Sequence, residues 1–115
     1  MVTRADIAAA LSGVDGIRGL VAPPVTPQPL DAWPVWSHSE LISMGRGWAT
    51  TWDVWVVLPN ATTEETIEAA DPLVDPVGNA LAHLGAVLTV APGRTLAQSN
   101  TTNAVPALKY TLQTL

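Results

Sequence analysis

The most constraining feature of the chain is the stretch of residues 48–58, WATTWDVWVVL, which alternates between two kinds of side chain. Trp48, Thr50, Trp52, Val54, Val56 and Leu58 fall on one side of an extended backbone, and Ala49, Thr51, Asp53, Trp55 and Val57 on the other. Successive side chains of a strand point to opposite faces, so this period of two predicts a strand with one strongly apolar face. Residues 33–42 alternate more loosely and precede the turn-forming Met44-Gly45-Arg46-Gly47. The two runs predict a long hairpin with arms of roughly ten residues, against a usual strand of ~5–6.

Helical spacing appears twice. Thr3 and Asp6 form a capping-box pattern ahead of Ile7, Leu11 and Val14, which predicts an amphipathic helix over residues 4–13, ended by Gly13 and Gly16. Thr62 with Glu65 is a second such pattern, and Glu64, Glu65 and Glu68 suit a helix N-terminus. Ile67, Ala70, Val74, Val77, Leu81 and Leu84 then recur at steps of three and four. This predicts a helix over residues 63–84, bent or broken between Asp71 and Pro76 because Pro72 and Pro76 lack an N–H. Gly85 ends it.

The remaining segments read as follows. Residues 17–22 form a short strand, and Pro23, Pro24, Pro27 and Pro29 make a stiff extended loop. Residues 87–91 read as a buried strand, residues 94–103 as a polar loop and residues 104–112 as a closing strand, with Leu108, Tyr110 and Leu112 on one face. The expected fold is therefore one α+β domain spanning residues 1–115. It has an antiparallel or mixed sheet of four to five strands, containing the long hairpin, with two helices packed on it. A chain of 115 residues implies a radius of gyration near 13 Å and a body roughly 35 Å across.

Composition narrows the chemistry. There is no cysteine, so neither disulfides nor thiolate sites are available. Ten acidic residues against five basic ones leave a net charge of −5, the opposite of a phosphate-gripping surface. The longest uncharged run, residues 76–93, is interrupted by proline, glycine, asparagine and histidine and does not read as a membrane span. The N-terminal apolar run, residues 7–11, is too short and too acidic for a secretory signal, which implies a protein that stays in the cytoplasm where it is made.

Catalytic signatures are weak. His38 and Glu40 share a strand face and Asp53 is a conceivable third ligand across the hairpin, but a catalytic zinc site usually has more histidines than this. His38 and Ser39 are neighbours on a strand and point to opposite faces, so they make no direct dyad. The sequence contains no nucleophile elbow, and Gly45-Arg46-Gly47 is too short for a dinucleotide fingerprint.

The unusual feature is five tryptophans in a chain without phenylalanine, all within the hairpin region: Trp33, Trp36, Trp48, Trp52 and Trp55. Trp48 and Trp52 share the apolar face and are expected in the core. Trp33 and Trp55 are either interface anchors or satellites packed under the loop or the second helix.

The order of elements resembles the tail terminators of long-tailed bacteriophages, especially those infecting actinobacteria. The resemblance is carried by Thr3-Arg4-Ala5-Asp6-Ile7, by Asp31-Ala32-Trp33-Pro34 and by Thr50-Thr51-Trp52-Asp53-Val54-Trp55-Val56-Val57-Leu58-Pro59. The acidic-capped helix and the closing Val105-Pro106-Ala107-Leu108-Lys109-Tyr110-Thr111-Leu112 complete it. It covers nearly the whole chain, and the proline interruptions at 72 and 76 depart from it.

The resemblance implies a non-enzymatic virion protein at the head-proximal end of the tail, assembled in the host cytoplasm. Such a protein forms a ring with itself, usually of six subunits. It contacts the tail tube protein and the head-to-tail connector or stopper, and it lets DNA pass through its bore without specific binding. No cofactor, metal or membrane is implied. Exposure logic then nominates Pro27, Pro29, Trp33, Trp36, Gly45, Arg46, Gly47, Trp55 and Lys109 as subunit, tube or connector contacts. The closing strand, at a sheet edge, is a further candidate. Two other readings stand beside this one: another neck component, such as a head-closure or tail-completion protein, and a small ligand-binding module with a Trp-lined hairpin.

Overall fold

The structure is a computed structural model that describes residues 2–42, 47–59, 63–97 and 100–114, with residues 63–67, 94–97 and 100–104 described by their backbone. The elements are α1 (Arg4–Ser12), β1 (Arg18–Gly19), β2 (Asp31–Leu41), β3 (Trp48–Val57), α2 (Thr63–Ala82), β4 (Ala86–Ala97) and β5 (Asn100–Thr114). They form one five-stranded sheet in the order β1-β2-β3-β5-β4. Only β1 and β2 pair parallel; the other pairs are antiparallel, so the sheet is mixed. This is the expected α+β fold.

Strand β3 lies in the middle, paired with β2 from Leu41↔Trp48 to Ala32↔Val56 and with β5 from Thr50↔Thr114 to Val57↔Ala107. Of the predicted turn at residues 44–47, residues 44–46 lie outside the described residues, as does the cap residue Thr62. The face of β3 carrying Trp52, Val54, Val56 and Leu58 meets Ile7 and Leu11 of α1 and Ala70, Val77 and Leu81 of α2, with Leu108, Tyr110 and Leu112 of β5 alongside. Both helices thus share one sheet face and touch each other.

The capping box of α1 forms as expected: the Asp6 N–H donates to the Thr3 hydroxyl at 3.3 Å, and the Thr3 N–H donates to the Asp6 carboxylate at 2.8 Å. At Gly19 helix α1 lies so close to β1 that a Cβ there would collide with the Ala8 carbonyl. Strand β1 is shorter than expected. Its pairing ends when Leu20 donates to the Ala32 carbonyl at 2.7 Å, because the prolines that follow cannot extend the ladder.

Helix α2 is continuous through Pro72 and Pro76, so of the expected bend or break the break does not occur. Both prolines are exposed. The carbonyls left without i+4 donors, those of Glu68 and Pro72, belong to exposed residues, where water can take over. On the sheet-facing side of the same stretch, the Tyr110 hydroxyl donates to the carbonyls of Val74 at 2.9 Å and Leu73 at 3.3 Å. A side chain from the sheet therefore holds the helix where its own ladder is weakest.

Three further expectations are corrected. Residues 94–103, read as a loop, belong mostly to the long β4–β5 ladder, which continues past the end of β3 to the pair Ala97↔Asn100. Polar Thr and Asn residues are poor predictors of a loop when a partner strand satisfies their backbone. The closing strand β5 is interior, because β4 pairs along its outer side. The apolar run of β4 is mostly exposed, with Leu88 on a bulge between Val87 and Thr89, because β4 is the sheet edge and only Val87 reaches the core cluster. The body is also elongated, 49 × 29 × 21 Å with a radius of gyration of 14.2 Å. A 15-residue strand such as β5 is itself about 50 Å long at ~3.3 Å per residue.

Replacing Tyr110 by Phe is expected to lower stability by about 1–2 kcal/mol, the cost of removing the donor from two helix carbonyls. Urea or thermal denaturation measures it. Burial first, and then the charge of Asp75, push the Tyr110 phenol up to about 12 from its ordinary 10.0. The folded state keeps the proton at pH values where the unfolded chain has lost it. Stability from this group is therefore complete below about pH 10 and lost as the pH rises toward about 12. Because the chain has one tyrosine, phenolate absorbance reports this group alone, and the loss in that window should be absent from Tyr110→Phe.

Candidate assembly surfaces

The five tryptophans divide between the two sheet faces as the alternation predicts, Trp48 and Trp52 on one and Trp55 on the other; what differs is which of them are covered. Trp33 stands opposite Trp55, and Trp55 opposite Lys109, all on the face away from the helices. The Trp55 ring reaches across β5 toward β4, where a Cβ placed on Gly93 would lie 3.3 Å from its Cζ3. Ala107, the neighbour of Gly93 in the ladder, is small enough for the ring to pass over it. The Lys109 ammonium sits 5.9 Å from the Trp55 ring centre, within range of a cation–π contact.

Trp33 is 1% exposed, so it is not available as a surface anchor. Of the two roles open to it, anchor or packed satellite, burial leaves the second, beside Trp55 on the face away from the helices. Trp55 and Lys109 are partly buried in that same layer.

The helix-side face shows the opposite change. Trp48, expected in the core, is 56% exposed, and Trp36 is 55% exposed. Trp52 alone of this group is buried, and its indole N–H has no hydrogen-bond partner among the described residues. The helices cover the part of the face near Ala32, Val54 and Val56 and leave the far ends of β2 and β3 open. A bulge at Ser37 keeps the apolar side chains in phase there: Trp36 lies opposite Trp52, Ser39 opposite Thr50, and Leu41 opposite Trp48. An open cleft of about 530 Å³ results, lined by Val2, Trp36, Ser39, Trp48, Thr50 and Trp52.

The bulge also separates the residues considered for a metal. His38 faces Thr51 and forms a 3.3 Å contact with Glu40, whereas Asp53 lies opposite Val35. Among the described residues no three His, Asp or Glu side chains gather as a metal site.

Of the other nominated contacts, Pro29 is exposed and Pro27 partly buried. Gly47 has a φ of 129°, a region that suits glycine, while Gly45 and Arg46 lie outside the described residues.

A pairing that the sequence did not reveal holds the base of the proline loop. The Arg18 guanidinium grips Asp31 with two bonds of 2.8 Å, and the Gln28 N–H donates to the same carboxylate at 3.0 Å. The hydrogen bond and charge of Asp31 raise the Arg18 pKa further. Leu30, at φ 70°, is held in the left-handed region by bonds on both sides, accepting from Arg18 N–H at 2.9 Å and donating to the Val57 carbonyl at 2.8 Å. Sequence separation hid this pair, since neither residue belongs to a motif.

The two tryptophan groups should respond oppositely to truncation. Trp33→Ala is expected to cost about 3–5 kcal/mol of folding stability, as for a fully buried aromatic. Trp48→Ala should change stability by less than about 1 kcal/mol. Denaturant melts of the two variants measure this, and equal losses would contradict the division of faces.

The chain matches no family model and no curated protein.

Proposed function

We propose that the chain is a structural assembly protein that caps a bacteriophage tail tube as a ring, stops tube polymerisation and offers a surface to the head connector. The observation that carries the reading is the distribution of exposed apolar surface. One cluster, Trp36, Leu41 and Trp48, lies at the far end of β2 and β3; another, Leu88 and Val90, lies on the β4 edge. A subunit of a ring meets its two neighbours through unlike patches and must also meet the structures above and below. Separate apolar surfaces on a small body are what such a role requires. The element order and sequence segments that resemble tail terminators support the same reading.

The charge balance fits the proposed bore. With ten acidic and five basic residues, the chain lacks the cationic excess that would hold passing duplex DNA. No helix among the described residues is long and apolar enough to cross a membrane. The ligand-module reading is favoured by one feature, the Trp-lined cleft, and a small molecule quenching the fluorescence of Trp36 and Trp48 would support it.

A tube has no intrinsic end, because each added ring reproduces the docking face it used. Particles lacking this chain should therefore show overlong tails or tails without heads in electron micrographs. Tails of normal length joined to heads would overturn the capping role. Tight binding of free duplex DNA at physiological salt would contradict the passive bore.

A further inference from the structure

We propose that the tryptophan cleft receives the proline segment, residues 23–29, of a second copy of this chain; the contact rests on the ring reading above only for how many copies join. The cleft is prepared for an extended, proline-rich ligand. Trp36 and Trp48 stand more than half exposed as walls, and Trp52 is buried beneath. The Trp36 ring is oriented before any ligand arrives: its Nε1 donates to Ser39 Oγ at 3.1 Å, and Ser39 Oγ lies 3.0 Å from Thr50 Oγ1. Polyproline segments carry no internal hydrogen bonds, and their preset backbone loses little entropy on docking. They characteristically seat in aromatic-lined grooves, where hydroxyls and indole N–H groups donate to their carbonyls.

The chain carries a proline-rich segment itself, bent at Val25 and Thr26 and turning at Pro29 and Leu30. Pro23, Pro24, Pro27 and Pro29 lie within seven residues, with Thr26 and Gln28 exposed and Val25 60% exposed. The base of the loop is closed by the Arg18–Asp31 pair and by Arg18 N–H donating to the Leu30 carbonyl; Pro23, Pro24 and Pro27 are half-buried, and Val25, Thr26, Gln28 and Pro29 are the exposed part of the segment.

Charge favours this occupant. Copies carrying a net −5 repel one another, and contacts through uncharged surface minimise that penalty. No charged side chain occurs between Arg18 and Asp31, and none of the described residues that line the cleft is charged. Glu40 and Asp53, adjacent in sequence to the lining residues Ser39 and Trp52, lie on the opposite face, paired with Ala49 and Val35.

The separation of the two patches suits a head-to-tail contact. The proline segment enters β2 at Asp31, whereas the cleft borders residues 36–41 of the same strand, about 17–33 Å further along it. Unlike patches at separate ends of a strand join successive copies in one direction, as a closed ring requires. The exposed parts of Trp36, Leu41 and Trp48 offer roughly 300–400 Å² of apolar area, under half of the ~800 Å² per partner of a stable pair. A single contact is therefore weak, with dissociation on the order of millimolar, and repetition around a ring supplies the rest.

The test uses the full chain, with the indole N–H signals followed by NMR from about 20 µM to about 1 mM. The Trp36 and Trp48 signals should move with concentration while that of buried Trp33 stays fixed. Trp48→Ala and the double variant Pro24→Ser/Pro27→Ser should each melt like the parent and associate at least about tenfold more weakly. An equimolar mixture of the two variants should regain one contact and form a heterodimer, because the intact segment of one meets the intact cleft of the other. Signals independent of concentration, undiminished association of Trp48→Ala, or a mixture that stays monomeric would each overturn the proposal. Association is measured without tails, so its failure leaves the capping role standing, and normal tails in the absence of the chain leave this contact standing.

Discussion

Strand β3 is the constraint on which the rest of the molecule depends. It is paired on both sides, and its two faces are buried in different ways. Trp52, Val54 and Val56 enter the helix-covered core, while Trp55 and Val57 lie in the aromatic layer behind it. A slip of one residue would exchange the faces, sending Asp53 into the core and exposing Val54 and Val56. The bulge at Ser37 has meaning only against this fixed register. It lets β2 change alignment and still place Ser39 and Leu41 on the helix side.

The helices depend on the same sheet. Two prolines in α2 would be poorly tolerated in an isolated helix, since each removes a hydrogen bond and crowds the preceding turn. Here the prolines face outward, Val77 and Leu81 are fully buried inward, and Tyr110 donates to the carbonyls between them. The helix persists because its buried side is held by the sheet and its defective side is open to water. Tyr110 couples the two layers, and burial is also the first cause of its raised pKa.

What the helices leave uncovered is as informative as what they bury. Helix α1 has nine residues, and with α2 it covers the sheet around Val54, Leu108 and Leu112 while the ends of β2 and β3 remain open. Large apolar side chains stand on that open end, and an unpaired edge with Leu88 and Val90 lies across the sheet. Both surfaces are costly to leave exposed to water.

The sequence by itself determined the local structure wherever periodicity or capping chemistry was strong. The alternation of residues 48–58, the Thr3–Asp6 box and the stripe from Ala70 through Leu81 predicted β3, α1 and the buried side of α2, because these patterns depend only on where side chains fall along a regular backbone. It did not determine which apolar residues would be covered. Trp48 stands outside the core expected for it, and of the two roles open to Trp33 the packed one holds, because burial depends on which strand lies alongside and how far each helix extends, and neither is encoded within the residue's own segment. For the same reason the apolar run of β4 becomes an exposed edge, and the polar stretch after Gly93 becomes ladder. The tertiary structure alone decided these points, and with them the cleft, since a surface is defined by the elements that fail to cover it.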